Sequence, residues 1–175
     1  MTRVINFYGG PGSGKSLTAI DLFSRMKKLE AGIKVELVTE YAKEVVYSDM
    51  QQLFKYQEIV FAEQRYRIER LVDKVDYIIT DSPINLGHFY MPEGKPYDYF
   101  RDFVDSCFDL YTNTNFFVNR IHPYEAYGRD QTEEQAKAID QEILSFLRDK
   151  NIPYDRIDPD DRAIDTILEH LGLNK

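Results

Sequence analysis

Residues 9–16 read Gly-Gly-Pro-Gly-Ser-Gly-Lys-Ser. Gly9, Gly14, Lys15 and Ser16 satisfy the spacing G-x-x-x-x-G-K-S, and the context on either side suits it. Arg3–Tyr8 (RVINFY) reads as a first strand. From Ser16 to Glu30, Ala19, Leu22, Phe23, Met26 and Leu29 recur at helical spacing, and Gly32 can end that helix. A glycine-rich turn between strand and helix lets backbone N–H groups point into one concavity, and the helix amino terminus adds its positive end. The phosphate-binding stretch is therefore expected at Gly9, Gly10, Pro11, Gly12, Ser13, Gly14, Lys15, Ser16 and Leu17. Lys15 is expected to bridge the β- and γ-phosphates of a nucleotide, with the Ser16 hydroxyl on Mg²⁺.

Beyond this loop, apolar β-branched runs alternate with helical periods, which predicts a parallel sheet wrapped by helices. Strands are expected at Lys34–Val38, Tyr77–Thr80, Asn115–Val118 and Tyr154–Ile157. Helices are expected over Gln52–Asp73, Thr132–Lys150 and about Asp160–Leu171. Thr132 with Gln135 resembles a capping box. Between Asn85 and Phe103 the pattern breaks, because Gly87, Pro92, Gly94 and Pro96 punctuate an aromatic stretch. That stretch reads as an acceptor-side insertion within one domain spanning 1–175.

The chain has 175 residues, and its 22 lysines and arginines against 30 acids give a net charge of −8. Such a surface argues against broad electrostatic affinity for duplex DNA or anionic membranes. The single cysteine, Cys107, cannot close an internal disulfide and sits among Phe103, Val104 and Phe108, so a buried thiol in a reducing compartment is expected. No apolar run approaches the roughly 20 residues that span a bilayer. A cytoplasmic protein is expected.

Asp76–Asp81 (DYIITD) looks like a Walker B strand, which places Asp81 beside Ser16 as a second metal ligand. Guanine recognition usually needs N-K-x-D after a late strand, and the chain offers Asn115-Phe116-Phe117-Val118-Asn119-Arg120 there. A mechanical ATPase usually follows its Walker B aspartate with glutamate, and here Ser82 follows Asp81. Both features favour phosphoryl transfer to an acceptor over hydrolysis. Arg120 and Arg129 lie between a strand and a helix, in a lid expected at about 120–135. Guanidinium groups there can neutralise the transferring phosphoryl group.

Taken in order, GGPGSGKS, Thr39-Glu40-Tyr41-Ala42, Asp81-Ser82-Pro83, Asn119-Arg120, Tyr127-Gly128-Arg129 and Tyr154-Asp155-Arg156-Ile157 resemble the small P-loop kinases of the thymidylate-kinase and ribosylnicotinamide-kinase neighbourhood. The likeness is strongest to their bacteriophage-encoded members. It implies a P-loop NTPase three-layer α/β sandwich, with a five-stranded parallel sheet ordered 2-3-1-4-5, a lid, and ATP with Mg²⁺ as donor. It also implies an acceptor that is a nucleoside, a nucleotide or a modified DNA base. One phage branch phosphorylates 5-hydroxymethyluracil in DNA. A homodimer is among the assemblies the resemblance allows.

The same resemblance makes Glu40, at the end of the second strand, the candidate for orienting or deprotonating the acceptor hydroxyl, with Asp81 as the other candidate base. In the helix Gln52–Asp73, Leu53, Tyr56, Val60 and Leu71 mark an apolar stripe that Glu63, Gln64 and Arg67 interrupt. Inward polar residues need partners, which a polar acceptor or an early exit of the helix from the core would supply. Arg67 is the expected acceptor contact of the three. Phe89, Tyr90 and Tyr97 are candidates for stacking on a nucleobase. The competing class is a nucleotide-dependent ATPase or switch acting on a protein partner.

Overall fold

The computed structural model describes residues 1–29, 32–123 and 132–173. Five strands, β1 (Arg3–Tyr8), β2 (Val35–Val38), β3 (Tyr77–Thr80), β4 (Thr112–Val118) and β5 (Asp155–Ile157), form one sheet in the order β2-β3-β1-β4-β5. Every pairing is parallel, with Ile5 opposite both Ile79 and Thr114. The expected α/β architecture and strand order are those found.

Helices cover both faces, which explains why β1, β3 and the end of β4 carry apolar residues on both of their faces. On one face, α1 (Lys15–Lys27) and α6 (Ala163–His170) pack Ala19, Leu22, Met26, Ile167 and Leu168 against Ile5, Phe7 and Phe116. On the other, α3 (Gln57–Glu69) and α4 (Tyr97–Phe108) pack Phe61, Ile68, Val104 and Phe108 against Val4 and Ile78. Beside them, α5 (Glu133–Asp149) seats Ile143 and Leu147 on Tyr8 and Phe117. The capping box is present: Gln135 N–H donates to Thr132 Oγ1, and Thr132 N–H donates to Gln135 Oε1. Cys107 is buried, as expected.

Two local expectations are corrected, and one helix is added. The region read as one helix over Gln52–Asp73 is a 3-10 turn at Gln51–Lys55, a break at Tyr56, and then α3. Tyr56 is exposed, and the buried positions of α3 are Gln57, Phe61, Gln64 and Ile68. Two glutamines thus stand where apolar residues were sought. The stretch 85–103 is not irregular throughout. A 3-10 segment covers Ile84–Tyr90, and α4 begins at Tyr97, so Pro92, Gly94 and Pro96 punctuate only the link between them. A short helix α2 (Tyr41–Tyr47) follows β2, with Glu40 as its N-cap residue. It spans too few turns to show a period.

β4 also starts at Thr112, earlier than its apolar run. Buried Asn6 of β1 explains the extension: its Nδ2 donates to Asn113 Oδ1 and Asn115 Oδ1, both at 2.9 Å. Among the described residues, no helix is long and apolar enough to cross a membrane.

Candidate functional site: a phosphate cradle at the strand ends

In a parallel sheet the carboxyl ends of all strands meet one edge, and ligands collect where neighbouring strands lead away in opposite directions. Here β1 lies between β3 and β4. The loop after β1 is therefore flanked by Asp81 from β3 on one side and by Asn119 and Arg120 from β4 on the other. β2, beyond β3, brings Glu40 to the same edge.

The loop has the shape the glycines predict. Gly12 and Gly14 take φ of 76° and 101°, the left-handed region that favours glycine. A Cβ on Gly10 would lie 2.7 Å from the Ala136 carbonyl oxygen, so this turn is wedged against α5. Ser13 Oγ, in the same loop, is buried without a hydrogen-bond partner among the described residues, a polar atom that an anionic oxygen would suit. Lys15 Nζ donates to the carbonyls of Gly9 at 2.6 Å and Gly10 at 3.0 Å. Burial pushes the Lys15 ammonium below its ordinary pKa, and Glu40, Asp81 and Asp140 push it back up. A cation only partly exposed to water is attracted to phosphate more strongly than a free one. Leu17, on the first turn of α1, is exposed.

Ser16 and Asp81 are brought into direct contact, the Ser16 hydroxyl donating to Asp81 Oδ2. The other oxygen, Oδ1, accepts the Glu40 backbone N–H at 3.1 Å. A hydroxyl and a carboxylate are hard oxygen donors that suit Mg²⁺, which keeps several waters and shares its shell with phosphates. Among the described residues no group of three or more His, Cys, Asp or Glu is placed to hold a metal ion, so a nucleotide would have to complete the shell. Burial raises the Glu40 carboxyl above its ordinary pKa, while Lys15 and Lys43 lower it.

Two residues of this site escaped the sequence reading. Lys43, on α2, donates to Ser16 Oγ at 2.9 Å and lies 3.5 Å from Asp81 Oδ2. Asp140, on α5, accepts the Gly10 N–H at 2.5 Å through Oδ1 and Arg120 Nε at 2.9 Å through Oδ2. It thus joins the phosphate loop to the arginine at the start of the expected lid. Asp140 had a legible signal, since it stands one turn after Ala136 and three residues before Ile143 on the apolar face of its helix. Lys43 had none beyond its i+3 spacing from Glu40.

The remaining candidates are distributed unevenly. Gln64 is buried; its Oε1 accepts the Tyr41 N–H at 2.9 Å, and its Nε2 donates to the Ser82 carbonyl at 3.3 Å. Arg67 grips Glu44 through two nitrogens, bonds Glu63 at 3.0 Å, and lies over the Tyr41 ring at 4.9 Å. These polar residues of α3 find their partners within the chain, in α2 and at the strand ends. Tyr90 is exposed over most of its surface, yet the protein around it, and after that the nearby Glu40 carboxylate, raise its phenol above the ordinary pKa. Phe89 packs edge-on against Phe146, with ring centroids 5.3 Å apart, and Tyr97 packs against the cluster around Phe61 and Val104. Arg129 lies outside the described residues, as does 124–131 of the expected lid.

The parallel sheet, the glycine loop opening α1, and the Ser16–Asp81 pair together define a P-loop nucleotide-binding fold. The sequence profile described as AAA domain matches residues 4–163, and the chain belongs to that family. Among solved structures, it is similar to a thymidylate kinase from Ehrlichia chaffeensis, with TM-score 0.65 and 15% identity over 98% of each chain. It is also similar to a deoxyadenosine kinase from M. mycoides with bound dATP, with TM-score 0.64 and 17% identity over 97% of this chain and 99% of that one. At these identities the likeness is one of fold. No curated protein matches the chain.

Proposed function

We propose that this protein is a P-loop kinase that moves the γ-phosphoryl group of ATP to a hydroxyl of a nucleoside, a nucleotide or a modified DNA base. The observation that carries the reading is the convergence on Asp81. One of its oxygens engages Ser16 of the phosphate loop, and the other holds the backbone of Glu40. The donor half and the acid facing the acceptor half are thereby tied to one carboxylate. The two similar structures with nucleoside or nucleotide kinase names agree with this reading.

In the proposed reaction the acceptor hydroxyl oxygen bonds to the γ-phosphorus as the bond to the β–γ bridging oxygen breaks. ADP leaves, and the hydroxyl proton passes to Glu40 or Asp81. Lys15, Arg120 and Arg129 offset the charge of the transferring group. Mg²⁺, when bound at Ser16 and Asp81, would neutralise the phosphate oxygens. Tyr90 and Arg67 are proposed on the acceptor side, with Phe89 and Tyr97 behind them. If the acceptor is a base in DNA, 5-hydroxymethyluracil in phage DNA being the candidate, it must be flipped or single-stranded to reach the γ-phosphate.

The AAA domain description favours a second reading, a nucleotide-dependent ATPase or switch acting on a protein partner. Ser82, standing where such enzymes usually place a water-polarising glutamate, counts against it. A transfer screen with γ-labelled ATP separates the two. It would offer nucleosides, nucleoside monophosphates, ribosylnicotinamide, and DNA with or without 5-hydroxymethyluracil. Labelling of one acceptor class is the expected result. Steady ATP hydrolysis with no labelled acceptor would replace the kinase reading by the second one.

A further inference from the structure

Asp81 is almost completely enclosed, its side chain 3% exposed, and a buried carboxylate requires compensation. Lys43 supplies an ammonium within ion-pair distance of it, and the Lys15 ammonium acts on it from farther off. Lys43 Nζ lies 2.9 Å from Ser16 Oγ, 3.5 Å from Asp81 Oδ2 and 3.9 Å from Glu40 Oε2. Ser16 Oγ meanwhile donates its own proton to Asp81. A divalent cation bound through Ser16 and Asp81 needs the lone pairs that the ammonium and the hydroxyl proton now occupy. The two cations are mutually exclusive at this point. The Lys43 side chain is half exposed on a flexible four-carbon stem, so it can leave without disturbing the strand ends.

We propose that Lys43 is an internal counter-ion that occupies the divalent-cation position in the nucleotide-free protein and yields it when metal and nucleotide arrive together. The proposal rests on the assignment of Ser16 and Asp81 as metal ligands made above. Its consequence is order. Free divalent cation, with two protein ligands and a resident positive charge to displace, is kept out. A cation carried on phosphate oxygens brings further ligands and enters. Lys43 therefore acts on metal entry, a role separate from the charge neutralisation assigned to Lys15.

The test is Mn²⁺ binding followed by electron paramagnetic resonance, on the nucleotide-free protein and again with ATP. Lys43→Met is expected to bind free Mn²⁺ about tenfold or more tightly than wild type, because a unit charge within 4 Å is removed from a partly buried site. Lys43→Arg keeps the charge and is expected to stay near wild type. In metal-free buffer Lys43→Met is expected to melt at lower temperature than wild type, and excess Mg²⁺ should raise its melting temperature by more. If Lys43→Met is poorly folded, Lys43→Gln gives the same comparison. Unchanged or weaker free Mn²⁺ binding in the folded neutral variant overturns the proposal. Asp81→Asn keeps the two failures apart. If that variant loses Mn²⁺·ATP binding while Lys43→Met shows no gain, the metal site stands and only the role of Lys43 fails. If Asp81→Asn binds Mn²⁺·ATP like wild type, the metal-site assignment fails and takes the Lys43 proposal with it.

Discussion

Lys15 and Glu40 are chemically coupled although they come from different strand ends. Each appears among the charges that shift the other's protonation, and burial acts on both against the charged form. Their replacements should nevertheless separate cleanly. Lys15→Ala removes the cation proposed to face the transferring phosphates and is expected to lower kcat by about 10²–10³-fold. Its circular dichroism and melting curve should stay close to wild type, and unchanged transfer would remove Lys15 from the mechanism. For Glu40→Gln, a general-base role predicts a loss in kcat of about 10²-fold or more with ATP affinity preserved. A rise in acceptor KM at constant kcat would instead assign Glu40 to binding.

At the scale of elements, α5 is tied to the nucleotide loop through one buried carboxylate. Asp140 holds both the Gly10 N–H and Arg120 Nε, and the Asp140 and Arg120 side chains are each about nine-tenths enclosed. Removing one partner of such a buried pair costs roughly 3–5 kcal/mol, because the other charge is left in a dry site. Chemical denaturation of Asp140→Ala should show a loss of that order. Asp140→Asn keeps an acceptor for Gly10 and should lose less; equal losses in the two variants would mean that the loop contact contributes nothing. The same helix starts on a capping box, so Thr132→Ala is expected to cost about 1 kcal/mol in the same assay. α2 and α3 are joined in another way, by Gln64 on the Tyr41 N–H and by Arg67 on Glu44. Those bonds set the position of the turn that carries Glu40 and Lys43.

Across the molecule, the pH dependence of stability should carry the mark of His88. The imidazole, on the 3-10 segment after β3, has Nε2 2.8 Å from Asp105 Oδ1 and its ring tilted against Phe146, with centroids 5.1 Å apart. Lys150 also reaches Asp105, at 2.6 Å. Burial lowers the His88 pKa below its ordinary 6.5; Asp105 opposes that shift, while Lys150 and Arg101 reinforce it. The unfolded chain therefore binds this proton more readily than the folded one. The contribution of neutral His88 is fully present above about pH 6.5 and is lost as pH falls through the lower folded value. Denaturation midpoints should drop between pH 7.5 and pH 5.5, and His88→Gln should flatten that part of the profile. An identical slope in the variant would show that other groups govern it.

Much of this could be read along the chain because it is local. The glycine spacing of Gly9–Ser16 dictates the cradle wherever a strand precedes it and a helix follows, and the apolar strands dictate a sheet covered on both faces. Thr132 and Gln135 announce a helix start by bonds between neighbours. Other features exist only once distant segments meet. Gln64 looks like a break in an apolar stripe because its partners, Tyr41 and Ser82, lie on other segments; α2 is too short to show a period, and Tyr97–Phe108 is helical despite the prolines before it. By itself, the sequence determined that a phosphate loop follows a buried strand, with Asp81 and Glu40 at the ends of two others. Only the tertiary structure decided that Asp81 would hold Ser16, Glu40 and Lys43 together, and that Asp140 would bind the loop to Arg120. Those contacts join residues tens of positions apart, and it is the strand order, with β1 between β3 and β4, that brings them within hydrogen-bond reach.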